Sequence, residues 1–185
     1  MTEEEKIFKG EMFSPGAQEL RAIKLRSHNL SQEYSNTKEN ETEKRAALAQ
    51  EILAEYGEGS FMQGPIFFHY GKHTRVGKRC FFNYNLTVQD DAPVVIGDDC
   101  NFGPNVTIVT PVHPMLPDER KRLRTPEGEI KRMCYAKGVT IGLMTSTIST
   151  LSFSFSSILI FASGSNPGRT LDAWLSSKSF PPNSR

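Results

Sequence analysis

Between residues 76 and 110 the apolar residues recur at a period that fits neither an amphipathic helix nor a plain alternating strand. Counting in sixes from Val76 gives Val76, Phe82 and Val88. After a shift of two the count resumes at Ile96, Phe102 and Ile108. Glycine follows three of these, in Val76-Gly77, Ile96-Gly97 and Phe102-Gly103. A fixed short repeat predicts stacked units that bury a continuous core only together. A six-residue repeat predicts a prism-shaped parallel β-helix, with one hexapeptide per side, three per coil, and the apolar residue pointing inward. On this reading Val76, Phe82, Ile96 and Phe102 stack in one interior column. Gly77, Asp98, Asp99 and Asn105 serve the corners, where glycine and asparagine adopt unusual backbone angles cheaply.

The flanks break the period. Thr2 to Glu5 predicts a capping box that opens a short helix through Lys9, stopped by Gly10. Leu20, Ile23, Leu30 and Tyr34 predict an amphipathic helix over 17–34, with Arg21, Lys24 and Arg26 on its wet side. Leu48, Ile52 and Leu53 predict a third helix over about 43–56, capped by Gly57. This helical segment, residues 1–58, is expected to cover the first rung of the solenoid, because an open end would leave strand edges unpaired. The solenoid is expected over 59–142. Its repeat runs from His73 to Thr110, is interrupted by Asp90-Asp91-Ala92-Pro93, and restarts at Val139-Thr140-Ile141-Gly142. The polar stretch 114–138, with the basic run Arg120 to Arg124, predicts a loop inserted at one corner. From Leu143 to Gly168 no residue is charged, and no Ile-Gly dipeptide recurs. The expectation for 143–185 is a poorly ordered tail foreign to the solenoid, from another reading frame or an unspliced intron. The competing reading is a weak membrane or strand-forming segment.

Composition narrows the function classes. At 185 residues the chain is one domain with appendages, and its formal net charge of +1 gives no field that favours nucleic acid or an anionic membrane. The apolar stretch 148–162 falls short of the roughly 20 residues of a membrane span. The acidic N-terminus has no apolar stretch of the signal-peptide kind. Three cysteines, Cys80, Cys100 and Cys134, show no metal-ligand spacing, and the expectation is a cytoplasmic protein with reduced thiols and no bound metal.

Several segments then point to a family. Lys9-Gly10-Glu11-Met12-Phe13, Arg21-Ala22-Ile23-Lys24-Leu25-Arg26, the run from Phe82 to Asp91, Ile96-Gly97-Asp98-Asp99-Cys100, the run from Pro104 to Ile108, and Pro111-Val112-His113-Pro114 together resemble the maltose and galactoside O-acetyltransferases. The likeness covers 2–142. It implies a mainly β fold with N-terminal helices, a left-handed parallel β-helix truncated after Gly142, a homotrimer, a sugar acceptor, and acetyl-CoA as co-substrate. The left hand comes from the resemblance alone, since the usual crossover rule would give a right hand.

The same resemblance distributes roles. Acetyl transfer to a sugar hydroxyl needs a base, and an imidazole suits that task near neutral pH. His113 matches the family's base, against a surface histidine at a corner. Asn83 matches a residue that donates to the oxyanion of the transition state, against a plain corner role. Asp91 matches a sugar-binding carboxylate, against a solvated Asp90-Asp91 turn. Pro15 and His69 stand where galactoside enzymes carry a sugar-contacting Asp and a Ser, so the acceptor pocket departs from theirs, and His69 is a substrate-binding candidate. His69 and His73 would make a metal pair on a helix, but Pro65 and the aromatic run favour strand or turn. Nothing after Gly142 matches the coils that form the family's pantetheine groove, and Trp174 lies in no comparable context. The chain is therefore expected to show little or no turnover. The alternatives are an inactive trimeric assembly protein and a γ-type carbonic anhydrase, which needs three histidines around a metal.

Overall fold

The computed structural model describes residues 1–113, 115–117 and 134–142, and the backbone of 123–124, 130–131 and 158–161. Three helices come first: α1 (Glu3–Phe8), α2 (Gln18–Ser35) and α3 (Thr42–Ile52). Three coils of short strands follow. The first holds β1 (Glu55–Tyr56), β2 (Phe61–Met62) and β3 (Ile66–Phe68). The second holds β4 (Thr74–Val76), β5 (Phe81–Phe82) and β6 (Leu86–Gln89). The third holds β7 (Val94–Ile96), β8 (Asn101–Phe102) and β9 (Val106–Val109). The chain continues through β10 (Pro111–Val112), β11 (Leu123–Arg124), β12 (Ile130–Lys131), β13 (Tyr135–Ala136), β14 (Val139–Ile141) and β15 (Ile158–Phe161).

The strands stack in parallel as three faces of a prism, in the orders β1-β4-β7-β14, β2-β5-β8 and β3-β6-β9-β15. The period of six is thus a period of sides, and the shift of two at Asp90-Asp91 has a structural cause. One corner of each coil is longer, so a full coil takes twenty residues: Glu55 pairs with Arg75, and Arg75 with Val95. The inward residues form three columns rather than the one expected. Val76 faces Ile96, Phe82 faces Phe102 and Val88 faces Ile108, one pair per side. The Phe82 and Phe102 rings stack with centroids 4.6 Å apart. Burying each such side chain contributes roughly 1.5–3 kcal/mol.

Corner chemistry repeats at the same spacing of twenty. Arg79 and Asp99 share positive φ and a two-toothed ion pair with 2.7 Å contacts. Asn85 and Asn105 share positive φ and an amide-to-amide bond of 2.6 Å. Gly77 is needed for a different reason than the one expected: its φ is ordinary, but a Cβ there would strike the Asp98 carboxylate and the Gly97 backbone. Gly57 belongs to that same column of bare backbone and caps no helix, because α3 ends at Ile52 and Glu55–Tyr56 is already strand.

The N-terminal helices close the first coil. β3 is the edge of its sheet, and α2 lies along it. Three serines one turn apart on α2 satisfy that edge. The Ser27 hydroxyl donates to the Phe68 carbonyl (2.8 Å), the Ser31 hydroxyl accepts from the Phe68 N–H (3.3 Å), and the Ser35 hydroxyl accepts from the Ile66 N–H (3.1 Å). Tyr34 donates to the Met62 carbonyl (2.6 Å) on the neighbouring sheet. The buried Arg45 donates to the Gln63 carbonyl between the rings of Tyr34 and Phe61. α1 opens with the expected capping box at Thr2 and Glu5.

The long corner receives everything else. Val95 pairs with Arg75 twenty residues before it, but with Thr140 forty-five residues after it, and the difference is the inserted segment. That segment leaves after Thr110 and returns through β13, which pairs with β10, while Phe13 bridges to Cys134. A second core forms there from Ile7, Phe13, Leu20, Tyr70, Ala92, Cys134 and Ala136. Within 143–185 only the backbone of β15 is described, running parallel to β9 from Ile158 against Val106 to Phe161 against Val109. The other expectations for the tail, Trp174 included, and most of the Arg120–Arg124 run lie outside the described residues.

Replacing Ser31 by Ala leaves the buried Phe68 N–H without its acceptor. The expected loss is about 1–3 kcal/mol in a urea melt; the comparison is Asn29→Ala on the exposed side of α2, expected within roughly 0.5 kcal/mol of the parent.

Candidate functional site

The long corner carries most of the candidate residues, and its frame is Asp90. This side chain is fully buried; its Oδ1 accepts from the Tyr70 N–H (2.7 Å) and its Oδ2 from the Thr74 hydroxyl (2.8 Å). Thr110 repeats the device one coil on, accepting from the Ala92 N–H (2.8 Å) and donating to the Gln89 carbonyl (2.9 Å). Asp90 is therefore a tie between coils. Its backbone carbonyl lies 3.0 Å from His73 Nδ1, and His73 Nε2 lies 3.0 Å from Glu4 of α1. His73 is buried against the Tyr70 ring, 4.7 Å between centroids, so it serves the docking of α1.

Asp91, next in the chain, is the opposite case. It is 4% exposed, and its Oδ2 has no hydrogen-bond partner. Burial, and then the neighbouring Asp90, push its carboxyl up to about 6, against a smaller pull from Lys24. The Tyr70 hydroxyl is likewise buried without a partner. The charge pattern predicts Lys24 on the wet side of α2. It instead turns inward, donates to the Pro15 carbonyl (2.7 Å), and holds its ammonium 5.7 Å from the centre of the Tyr70 ring. Burial lowers its pKa. Buried polar atoms left without partners are rare, and each needs an explanation, of which a bound ligand or water is one; Nε and Nη1 of Arg45, under the helical cap, are further cases.

His69 stands just before this corner, its N–H bonded to the Val88 carbonyl (2.9 Å). Its Nδ1 lies 3.2 Å from Nε2 of His28 on α2, and Phe67 flanks His28 with ring centroids 4.9 Å apart. Burial, and then Lys24, lower the His69 pKa to about 4; burial also lowers that of His28. Both rings are then neutral near pH 7. One donates a single N–H to the other, and that choice decides whether the remaining His69 nitrogen donates or accepts. His28 was not found from the sequence, because a lone histidine on a helix shows its partner only after folding.

His113 follows β10, three residues beyond Thr110, and is exposed. Asp91, His69 and His113 thus belong to the same corner. Asn83 does not. It lies between β5 and β6, its Oδ1 accepting from the Tyr84 N–H (2.8 Å), while Asp91 lies past the other end of β6. The four residues of β6 alone span about 10 Å, so one chain does not bring Asn83 to the histidine. His69 and His73 sit on strand end and turn, facing different surroundings, and among the described residues no group of three or more His, Cys, Asp and Glu side chains has metal-binding placement. Among them, too, no helix is long and apolar enough to cross a membrane.

Comparison with known proteins gives consistent matches. Residues 6–57 match the maltose acetyltransferase hexapeptide capping motif. The galactoside O-acetyltransferase of Escherichia coli (strain K12) is 34% identical over 138 residues, which are 75% of this chain and 64% of that protein. A galactoside acetyltransferase solved in complex with coenzyme A superposes with a TM-score of 0.65 at 31% identity, over 75% of this chain and 64% of that one. A hexapeptide-repeat acetyltransferase of Vibrio cholerae O1 biovar eltor, complexed with acetyl coenzyme A, gives 0.62 at 29%, over 75% and 69%. The chain therefore spans just under two thirds of the length of the Escherichia coli relative.

Two outcomes test the electrostatics. A carboxyl with a raised folded pKa favours folding below its unfolded value, and that contribution is lost as pH rises through the folded value. Asp91→Asn is therefore expected to be more stable than the parent above pH 6, on the order of 2 kcal/mol, with the gap closing below about pH 4 in thermal melts across pH. His69 is expected to titrate near 4 by imidazole NMR, whereas a value near 6.5 would mean an exposed ring.

Proposed function

Because this chain belongs to the maltose and galactoside O-acetyltransferase family of hexapeptide-repeat proteins, we propose that its long corner is the acceptor site of an acetyl-CoA-dependent sugar O-acetyltransferase. The observation that carries the reading is the buried, unpartnered Oδ2 of Asp91. A carboxylate desolvated in this way gains most from a ligand that supplies hydroxyl donors, and a sugar diol does so. His69, with its tautomer coupled to His28, adds a hydrogen-bonding edge at the start of the long corner. His113 takes the proton of the attacked hydroxyl as the oxygen reaches the thioester carbon, since an unionised hydroxyl is a poor nucleophile. The tetrahedral oxyanion then needs a donor, and Asn83 supplies its amide.

The separation of Asn83 from His113 supports a further part of the proposal. A complete site needs the Asn83 corner of one copy set against the His113 corner of another, and a closed ring of three copies of a three-sided prism achieves this. The coil is left-handed, as the family implies. Acetyl-CoA is the donor. Nothing in the sequence after Gly142 matches the family's pantetheine-groove coils, and on that ground this chain shows little or no turnover.

Binding and rate are separable tests. Titration with maltose, glucose or a galactoside, followed by NMR, is expected to shift the signals of Asp91 and His69, and Asp91→Ala is expected to weaken binding at least tenfold. No response to any of the three sugars would remove the acceptor assignment. With acetyl-CoA present, His113→Ala is expected to lower any measured rate by about 10²–10⁴-fold. A parent rate equal to that of a relative carrying all the coils would overturn the view that the donor half is impaired. Sedimentation is expected to give a trimer.

A further inference from the structure

We propose that Cys80 and Cys100 form a paired modification site, which a peroxide converts into a disulfide joining two successive coils. The pair lies at a corner remote from the acceptor site, between the β4–β7 face and the β5–β8 face, and the inference does not rest on the acetyl-transfer reading. The two residues occupy the same place in adjacent coils, immediately before the paired Phe81 and Asn101. Backbone bonds hold them in step on both sides: the Asp99 N–H donates to the Lys78 carbonyl (2.9 Å), and the Phe81 N–H to the Cys100 carbonyl (2.9 Å). Neighbouring strands lie about 4.8 Å apart, within the Cα separation of about 4.4–6.8 Å that a disulfide tolerates.

Surroundings favour reaction between these two sulfurs. The Cys80 thiol points at the Gly97 carbonyl, 3.0 Å away. The neighbouring Cys100 thiol lowers the pKa of Cys80 while Cys80 raises that of Cys100, so Cys80 is the sulfur of the pair that ionises first. Cys80 is buried, but Cys100 is partly exposed and opens the pair to a small oxidant. Cys134 is buried in the separate core against Phe13 and Ala136, away from the pair. The corresponding place in the first coil is Ser60, whose hydroxyl accepts from the Cys80 N–H (2.9 Å) and donates to the Gly77 carbonyl (2.7 Å). Serine is therefore a native occupant of this column.

The chemistry balances with hydrogen peroxide as oxidant. The Cys80 thiolate attacks one peroxide oxygen, the O–O bond breaks, and Cys80 sulfenic acid and hydroxide form. The hydroxide takes the Cys100 proton and becomes water. The Cys100 sulfur then attacks the Cys80 sulfur, the S–O bond breaks, and the departing hydroxide takes up a solvent proton, replacing the one lost when Cys80 ionised. In sum, two thiols and one peroxide give one disulfide and two waters, with each sulfur giving up one electron to the peroxide oxygens.

The test is peroxide treatment of the full chain, alkylation of remaining thiols, and peptide mapping by mass spectrometry. The expected product is an intramolecular Cys80–Cys100 cross-link with Cys134 alkylated, reversed by dithiothreitol. Closing a loop of twenty residues is expected to raise Tm by roughly 5–10 °C. Cys80→Ser and Cys100→Ser should each abolish the cross-link, and Cys134→Ser should leave it. Full alkylation of Cys80 and Cys100 after peroxide, or a bond that maps to Cys134 or between chains, would refute the proposal. Because mapping the parent chain needs no variant, a variant that fails to fold leaves the test intact.

Discussion

A β-solenoid must end somewhere, and its last strand offers backbone groups with no neighbour to bind them. That constraint governs the N-terminal third of this chain. Ser27, Ser31 and Ser35 lend hydroxyls to the open edge of β3, and the Tyr34 hydroxyl and the Arg45 guanidinium donate to the Met62 and Gln63 carbonyls at β2. A helix is otherwise a poor partner for a strand edge, because its own amides are already used. Short side chains that both donate and accept, repeated at every turn, make α2 a substitute for a missing coil. The same helix then has a fixed position over the sheet, and that position brings Lys24 and His28 to the long corner.

The parts of the fold legible in the sequence are those with a local period or a local cap. Val76, Phe82 and Val88 announce three sides because each inward position faces the same interior. Thr2 and Glu5 announce a helix start because both partners of the capping box lie within one turn. The shift of two between Val88 and Ile96 was visible as well, but only the pairing of Arg75 with Val95 shows it to be a longer corner in every coil. Lys24 misled, since charge on an amphipathic helix reads as wet. Its inward turn depends on Pro15 and Tyr70, which approach only when the cap has docked.

The candidate site divides in the same way. Asp90-Asp91 reads as a pair of equals, yet one carboxylate is fully bonded between coils and the other keeps a buried oxygen unpartnered. Sequence spacing cannot separate them, because the difference lies in which of two adjacent side chains faces Tyr70 and Thr74. The long corner also explains why the candidate chemistry gathers there. It is the place where each coil has residues to spare beyond three plain sides, and where the inserted segment leaves and returns without disturbing the stacked faces.

In-register stacking has a consequence for how such a chain can change over time. Each corner residue meets its own counterpart from the adjoining coil: Arg79 meets Asp99, and Asn85 meets Asn105. A substitution at one of them alters the best choice at the other, so tolerated changes should travel in couples separated by one full circuit of the spiral. Drift in this protein is thus constrained along the axis of the prism more than along the chain.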